Sequence, residues 1–228
     1  MRNTRSTLRE KARSSVYHGY HARGRNNQNL WLVYSVKTDR DWVLFSDRQL
    51  IYWICHLETN PDVLSYDLDP QPISLIVREK RFEVRLGAIV CLKNKATEWH
   101  ILNGEWMTEP DQINALQAAA TEAQVTYRFI FEEDLKRAIG TAMRWLKVIS
   151  YAASIRGRVY SQTEASLWTI VQTKKGGLVE DFLTSLIGEE EAVVIAVLAR
   201  LSINGRLHLD LAKNGYGRRT PWHLTTQV

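Results

Sequence analysis

The chain has 228 residues, 45% of them hydrophobic and 10% aromatic, which suffices for a packed core in one large or two small domains and marks a soluble globular protein. No apolar run approaches the roughly 20 residues of a membrane span, and the arginine-rich amino terminus lacks an apolar signal region, so the expected location is cytoplasmic. The formal net charge of +5 is concentrated at one end: residues 1–28 hold Arg2, Arg5, Arg9, Lys11, Arg13, Arg23 and Arg25 against Glu10 alone, a net of +6 that leaves −1 for the other 200 residues.

The first segment, 1–28, therefore reads as a basic flexible arm of the kind that follows a phosphate backbone and gains affinity by counterion release. Arg5, Arg9, Lys11, Arg13, Arg23 and Arg25 are its expected DNA contacts, with Tyr17 and Tyr20 available for stacking. His18 and His21 share the arm, but no cysteine or acid at supporting spacing makes them a metal site.

Residues 29–155 read as the first globular unit. Leu30 to Val36 forms a strand, Asp47 to Glu58 a helix capped by Ser46 or Asp47, and Ile73 to Val77 a strand. Phe82 to Leu86 and Ala88 to Leu92 read as a strand pair around Gly87, followed by strand Glu98 to Leu102, helix Pro110 to Ala123, strand Tyr127 to Phe131 and helix Glu132 to Ala153. This mixed order predicts an α/β fold, a mixed sheet flanked by helices. Trp31, Trp42, Trp53 and Trp99 suit core positions, whereas Trp106 beside Gly104 suits an exposed tip. Cys55 and Cys91 are isolated in apolar surroundings and read as reduced core thiols.

Residues 156–228 read as a second, smaller unit, entered through Arg156-Gly157-Arg158. Helices are expected at Gln162 to Lys174, Val179 to Ile187 and Glu189 to Leu201, then a hairpin from Leu207 to Leu211 and Pro221 to Leu224. Three helices and a hairpin predict a winged-helix-like domain. Its third helix opens on Glu189-Glu190-Glu191, which repels phosphate, so the expected DNA contact is the wing, with Lys213, Arg218 and Arg219 beside Tyr216.

Phe45-Ser46-Asp47, the helix after it, Pro61-Asp62-Val63, Gln71-Pro72 and the strands that follow resemble the TnsA-like endonuclease subunit of heteromeric transposases. The resemblance implies a restriction-endonuclease-like fold with a carboxy-terminal winged-helix-like domain. It also marks where that family keeps its chemistry. The helix glutamate falls on Leu50, the Pro-Asp-Phe motif on Val84-Arg85-Leu86 and the Glu-x-Lys motif on His100-Ile101-Leu102. Two-metal phosphodiester hydrolysis needs clustered anionic oxygens and a stabilising cation; Leu50, Arg85 and Leu102 supply no carboxylate, and His100 only an imidazole. The expectation is a degenerate nuclease with no catalytic residue, metal or other cofactor. It would bind double-stranded DNA at mobile-element ends and contact a transposase or ATPase subunit. Two alternatives stand beside it: an active metal-dependent endonuclease with acids relocated to Glu83 and Glu98, and a winged-helix transcription regulator.

Overall fold

A computed structural model of the chain describes residues 29–102, 109–213 and 215–225; the arm, Trp106 and the 214 position of the wing lie outside them. The chain opens with an antiparallel hairpin, β1 (Trp31–Ser35) and β2 (Arg40–Leu44). Helix α1 (Asp47–Tyr52) follows, begun where the Ser46 hydroxyl accepts the Gln49 amide N–H, and it continues as a π-helical stretch, Trp53–Glu58. Together they fill the expected helix.

The main sheet has four strands in the order β3 (Val63–Asp67), β6 (Ala88–Leu92), β7 (Thr97–Leu102) and β8 (Thr126–Ile130). The first three are antiparallel neighbours, and β8 joins β7 in parallel after the crossover helix α2 (Pro110–Glu122). Between β3 and β6 the chain makes a separate hairpin, β4 (Ile73–Val77) and β5 (Lys80–Val84). This corrects the expected pairing around Gly87: the 82–86 segment pairs backward with β4, not forward with β6. Arg78 and Glu79 form the two-residue turn, both with positive φ, 49° and 64°. That is the geometry of primed hairpin turns, which usually advertise themselves by Asn or Gly; here neither is present to read.

Helices cover both faces of the sheet. The β4–β5 hairpin and α2 close one face over Leu75, Val84, Ile101 and Leu116. On the other, α1 and the long helix α3 (Glu132–Ser154) bury Leu50, Trp53, Ile54 and Leu57 against Val63, Ala88 and Val90. The alternation along β7 decides which side chain goes where, since Ile101 faces α2 while Glu98, His100 and Leu102 face the α1 side. Helix α3 starts at Phe131, whose N–H donates to the Asp134 carboxylate at 3.2 Å, and its first-turn acids suit the positive end of the helix dipole.

The carboxy-terminal part holds α4 (Ser161–Lys174), β9 (Gly176–Leu178), α5 (Val179–Ser185), α6 (Glu191–Ile203), β10 (Leu207–Leu209) and β11 (Pro221–Leu224). Its three antiparallel strands stand in the order β10, β11, β9. Helix α6 is buried from Val193 to Ala199 and again from Leu201 to Ile203, and one apolar core runs from Trp42 through α3 and α6 to Trp222. The acidic opening of this helix was a reason to doubt that it reads a groove; its enclosure is a stronger one. Tyr216 is also enclosed, its hydroxyl donating to the Ile195 carbonyl at 2.6 Å and its ring set edge-on to Tyr151. It is a core residue, and the aromatic part of the expected wing tip is withdrawn for that reason.

A buried carboxylate ties the first hairpin to the helix. Glu58 is fully enclosed and accepts hydrogen bonds from Ser35 Oγ at 2.8 Å, the Val36 N–H at 2.7 Å and the Tyr66 hydroxyl at 2.7 Å, while Trp53 Nε1 donates to that same phenol oxygen. Burial holds the Glu58 carboxyl above its ordinary range. Lys37 closes the same corner by donating to the carbonyls of Leu57, at 3.1 Å, and Asn60, and burial brings its ammonium down to about 8.

Candidate functional site

The positions to which the resemblance assigns metal ligands lie in and around the α1 face of the sheet, and there the chain has built packing. Leu50 is buried and Leu102 half-buried, and both belong to the main core. Gly87 begins the pairing with β7, its N–H donating to the His100 carbonyl at 2.8 Å. A Cβ placed on it would lie 2.6 Å from Leu102 Cγ and 2.9 Å from Cδ1. Glycine is thus the residue that lets Leu102 lie flat across the strand. Arg85 brings no charge to this place: it is exposed and follows β5, in the hairpin on the other face.

One polar cluster interrupts the apolar packing. His100 is buried, and its two ring nitrogens are occupied: Nε2 stands 3.1 Å from Glu98 Oε2 and Nδ1 stands 2.9 Å from the Tyr52 hydroxyl. With the Nε2 proton directed at the carboxylate, Nδ1 accepts from the phenol, so one neutral imidazole satisfies both neighbours. Burial lowers the His100 pKa despite Glu98, and burial likewise lowers that of His56, whose ring stacks on Tyr52 with centroids 5.8 Å apart. Arg128, beside His100 in the parallel register and exposed, adds to both depressions. Tyr52 is raised well above its ordinary value by burial and is no acid at neutral pH. The relay holds α1 to the sheet; none of its members is an activated nucleophile or a free general base.

The two acids considered for a relocated centre are not brought together. Glu83 is exposed on β5 with Arg81 at 3.8 Å, while Glu98 lies on β7 bound to His100. Among the described residues no group of three or more His, Cys, Asp or Glu side chains is placed to hold a metal ion. With Leu50, Leu102, an exposed Arg85 and a His100 whose two ring nitrogens are engaged at the resembling positions, the donor set does not fit a pair of magnesium ions, which require clustered carboxylate oxygens.

The cations fall into three groups. Those of the arm, Arg5 to Arg25, lie outside the described residues. In the wing, Lys213, Arg218 and Arg219 are all exposed, but Arg218 is committed to Glu191 at the start of α6 through two hydrogen bonds. The third group was not anticipated. Lys136, Arg137, Arg144 and Lys147 are exposed along α3 and form no ion pair among the described residues. Their signal was present in the sequence as a one-sided spacing after the acidic first turn, with no carboxylate from Leu135 to Ser154.

A cavity of about 230 Å³ opens where the Thr59–Pro61 turn meets α3 and the carboxy-terminal strands. Trp145, Ser202 and Leu207 line it. At its rim His208 and His223 face each other across β10 and β11, ring centroids 4.5 Å apart. Cys55 and Cys91 are free, and burial pushes the Cys55 thiol up to about 11. No helix among the described residues is long and apolar enough to cross a membrane. No protein-family model matches the chain, and no curated protein matches it.

Proposed function

We propose that the chain is a DNA-binding accessory subunit of a transposition or mobile-element recombination complex, built on a nuclease-like sheet that has lost its cleavage centre. The observation that carries this reading is what stands where the resemblance asks for carboxylates: Leu50 is packed into the core, the buried His100 is held between Glu98 and Tyr52, and Arg85 is exposed on the other face. A mixed sheet of three antiparallel strands and one parallel strand, entered through a helix, is compatible with the restriction-endonuclease-like fold that the resemblance implies. Removing acids from such a site leaves phosphate affinity to the cations and removes repulsion. The carboxy-terminal part, winged-helix-like in its order of elements, presents the apolar side chains of Val159 and Ile187 to solvent and is the part assigned to a transposase or ATPase partner.

A gel-shift and cleavage assay of a labelled duplex tests this, with and without magnesium or manganese, over a salt series. Binding that weakens steeply with salt and yields no nicked or cut product is expected. Metal-dependent cleavage, or no duplex binding at low salt, overturns the proposal.

A further inference from the structure

The outer face of α3 brings three properties together. Beyond the first turn it carries four cations and no carboxylate: Lys136 and Lys147 stand near its centre, and Arg144 and Arg137 on one flank. None is committed to an ion pair among the described residues, whereas Arg48, Arg78, Arg81, Arg156, Arg206 and Arg218 all are. The face is also shaped for close approach. Gly140 lies between Lys136 and Arg144, and a Cβ there would meet only Arg144 Nη1, at 3.7 Å. Glycine in the interior of a helix is unfavourable, so its presence at the middle of the longest helix among the described residues calls for a reason, and a backbone brought against the helix is one. Beside it Met143 is 64% exposed, an apolar contact for the sugar edge of a strand.

We infer that this face of α3 is the track on which a duplex phosphate backbone lies. The inference rests on the DNA-binding reading above and names the surface responsible. Lys136 to Lys147 spans roughly 16 Å at about 1.5 Å per residue, the length of about five base-pair steps of duplex axis at about 3.4 Å each. The acids of the helix, Glu132, Glu133 and Asp134, are confined to its first turn, and Glu132 is held by Arg48. The positive stretch therefore begins after them. The contacts read phosphate and carry no base sequence.

The full chain carrying Lys136→Gln, Arg137→Gln, Arg144→Gln and Lys147→Gln tests the inference, with duplex affinity measured from about 50 to 200 mM salt. Each phosphate contact contributes about 0.9 to the slope of log K against log salt, so the slope should flatten by about 3 and affinity at 100 mM should fall at least about 30-fold. Arg78→Gln with Arg81→Gln, on the paired β4–β5 hairpin, serves as control and should leave both unchanged. Gly140→Gln separates binding from folding, because it should raise the melting temperature by replacing a helix glycine and yet weaken binding about 3- to 10-fold by holding the strand off. Should the wild type bind with a steep slope that the fourfold variant retains, or should Gly140→Gln bind as well as the wild type, the inference is overturned while the DNA-binding reading stands. If the wild type binds no duplex, both fall.

Discussion

Replacing Gly87 by alanine measures how tightly Leu102, at the position to which the resemblance assigns a lysine, packs across the strand. The new Cβ would lie 2.6 Å from Leu102 Cγ and 2.9 Å from Cδ1, both well inside van der Waals contact, and Cγ is not the free end of a flexible chain. Overpacking of this kind costs about 1 to 3 kcal/mol. Gly87 does not have the positive φ that would itself penalise alanine. Leu102→Ala alone, at a half-buried site, should cost about 1 to 2 kcal/mol, below the range for fully buried leucines. In the double variant both offending atoms are gone, and the nearest neighbour left to the Cβ is the His100 carbonyl at 3.5 Å, an ordinary contact. Alanine then costs nothing, and can gain about 0.4 to 1 kcal/mol by restricting the unfolded chain. The unfolded-state gain is common to both backgrounds and cancels, so the coupling between the two substitutions should equal the overpacking term, about 1 to 3 kcal/mol. Urea unfolding of the wild type, both single variants and the double variant completes the cycle; at a slope of about 2 to 3 kcal/mol/M, Gly87→Ala should lower the midpoint by about 0.3 to 1.5 M without changing the slope. Additivity within about 0.5 kcal/mol would refute the reasoning, because it would mean that the two residues do not share the space.

Glu58→Gln places an amide N–H₂ among three donors that converge on a carboxylate, those of Ser35, Val36 and Tyr66, and should cost about 2 to 4 kcal/mol; a thermal melt should fall by about 5 to 15 °C, and an unchanged melt would show that the group folds protonated. Because His100 and His56 have folded-state pKa values below their unfolded ones, the unfolded chain binds more protons, and stability is lost as pH falls through about 6.5. His100→Gln should lose less stability than the wild type between pH 7 and 5 in matched urea titrations, with equal losses as the refuting result. Glu58, raised above its ordinary range, acts with the opposite sign and cancels in the comparison. Gly205→Ala should destabilise by about 1 to 3 kcal/mol, since Gly205 has φ of 72° and a Cβ would lie 2.9 Å from Pro61 Cβ; urea midpoints check it, and an unshifted midpoint would count against that close approach.

Much of this architecture is legible from the chain alone, for a physical reason. The helices at 47–58, 110–123, 132–153, 162–174, 179–187 and 189–201 announce themselves by apolar spacing, and each is present within a few residues. The β4–β5 hairpin escaped because its turn is Arg78-Glu79, long polar residues holding a backbone that glycine or asparagine usually marks. Tyr216 misled for the opposite reason. Set among Asn214, Gly215, Gly217 and two arginines it looks like an exposed tip, yet the turn folds it inward onto Ile195. Glu58 could have been noticed as an acid on the apolar face that Trp53, Ile54 and Leu57 define, but no local rule supplies its partners from β1 and β3. The cations of α3 were visible as letters; what the sequence lacks is the information that, among the described residues, no carboxylate pairs with them.

The enclosure of α6 by side chains from both halves of the chain has a consequence for inheritance. A carboxy-terminal segment borrowed from a relative would arrive with a helix moulded to a different α3, so the two helices must change in step. Substitutions at Tyr151 and Tyr216, whose rings meet edge-on, should therefore appear together across a lineage. Exchange of parts that leaves the fold intact is confined to the exposed surfaces, where a new partner can be gained without disturbing the shared interior.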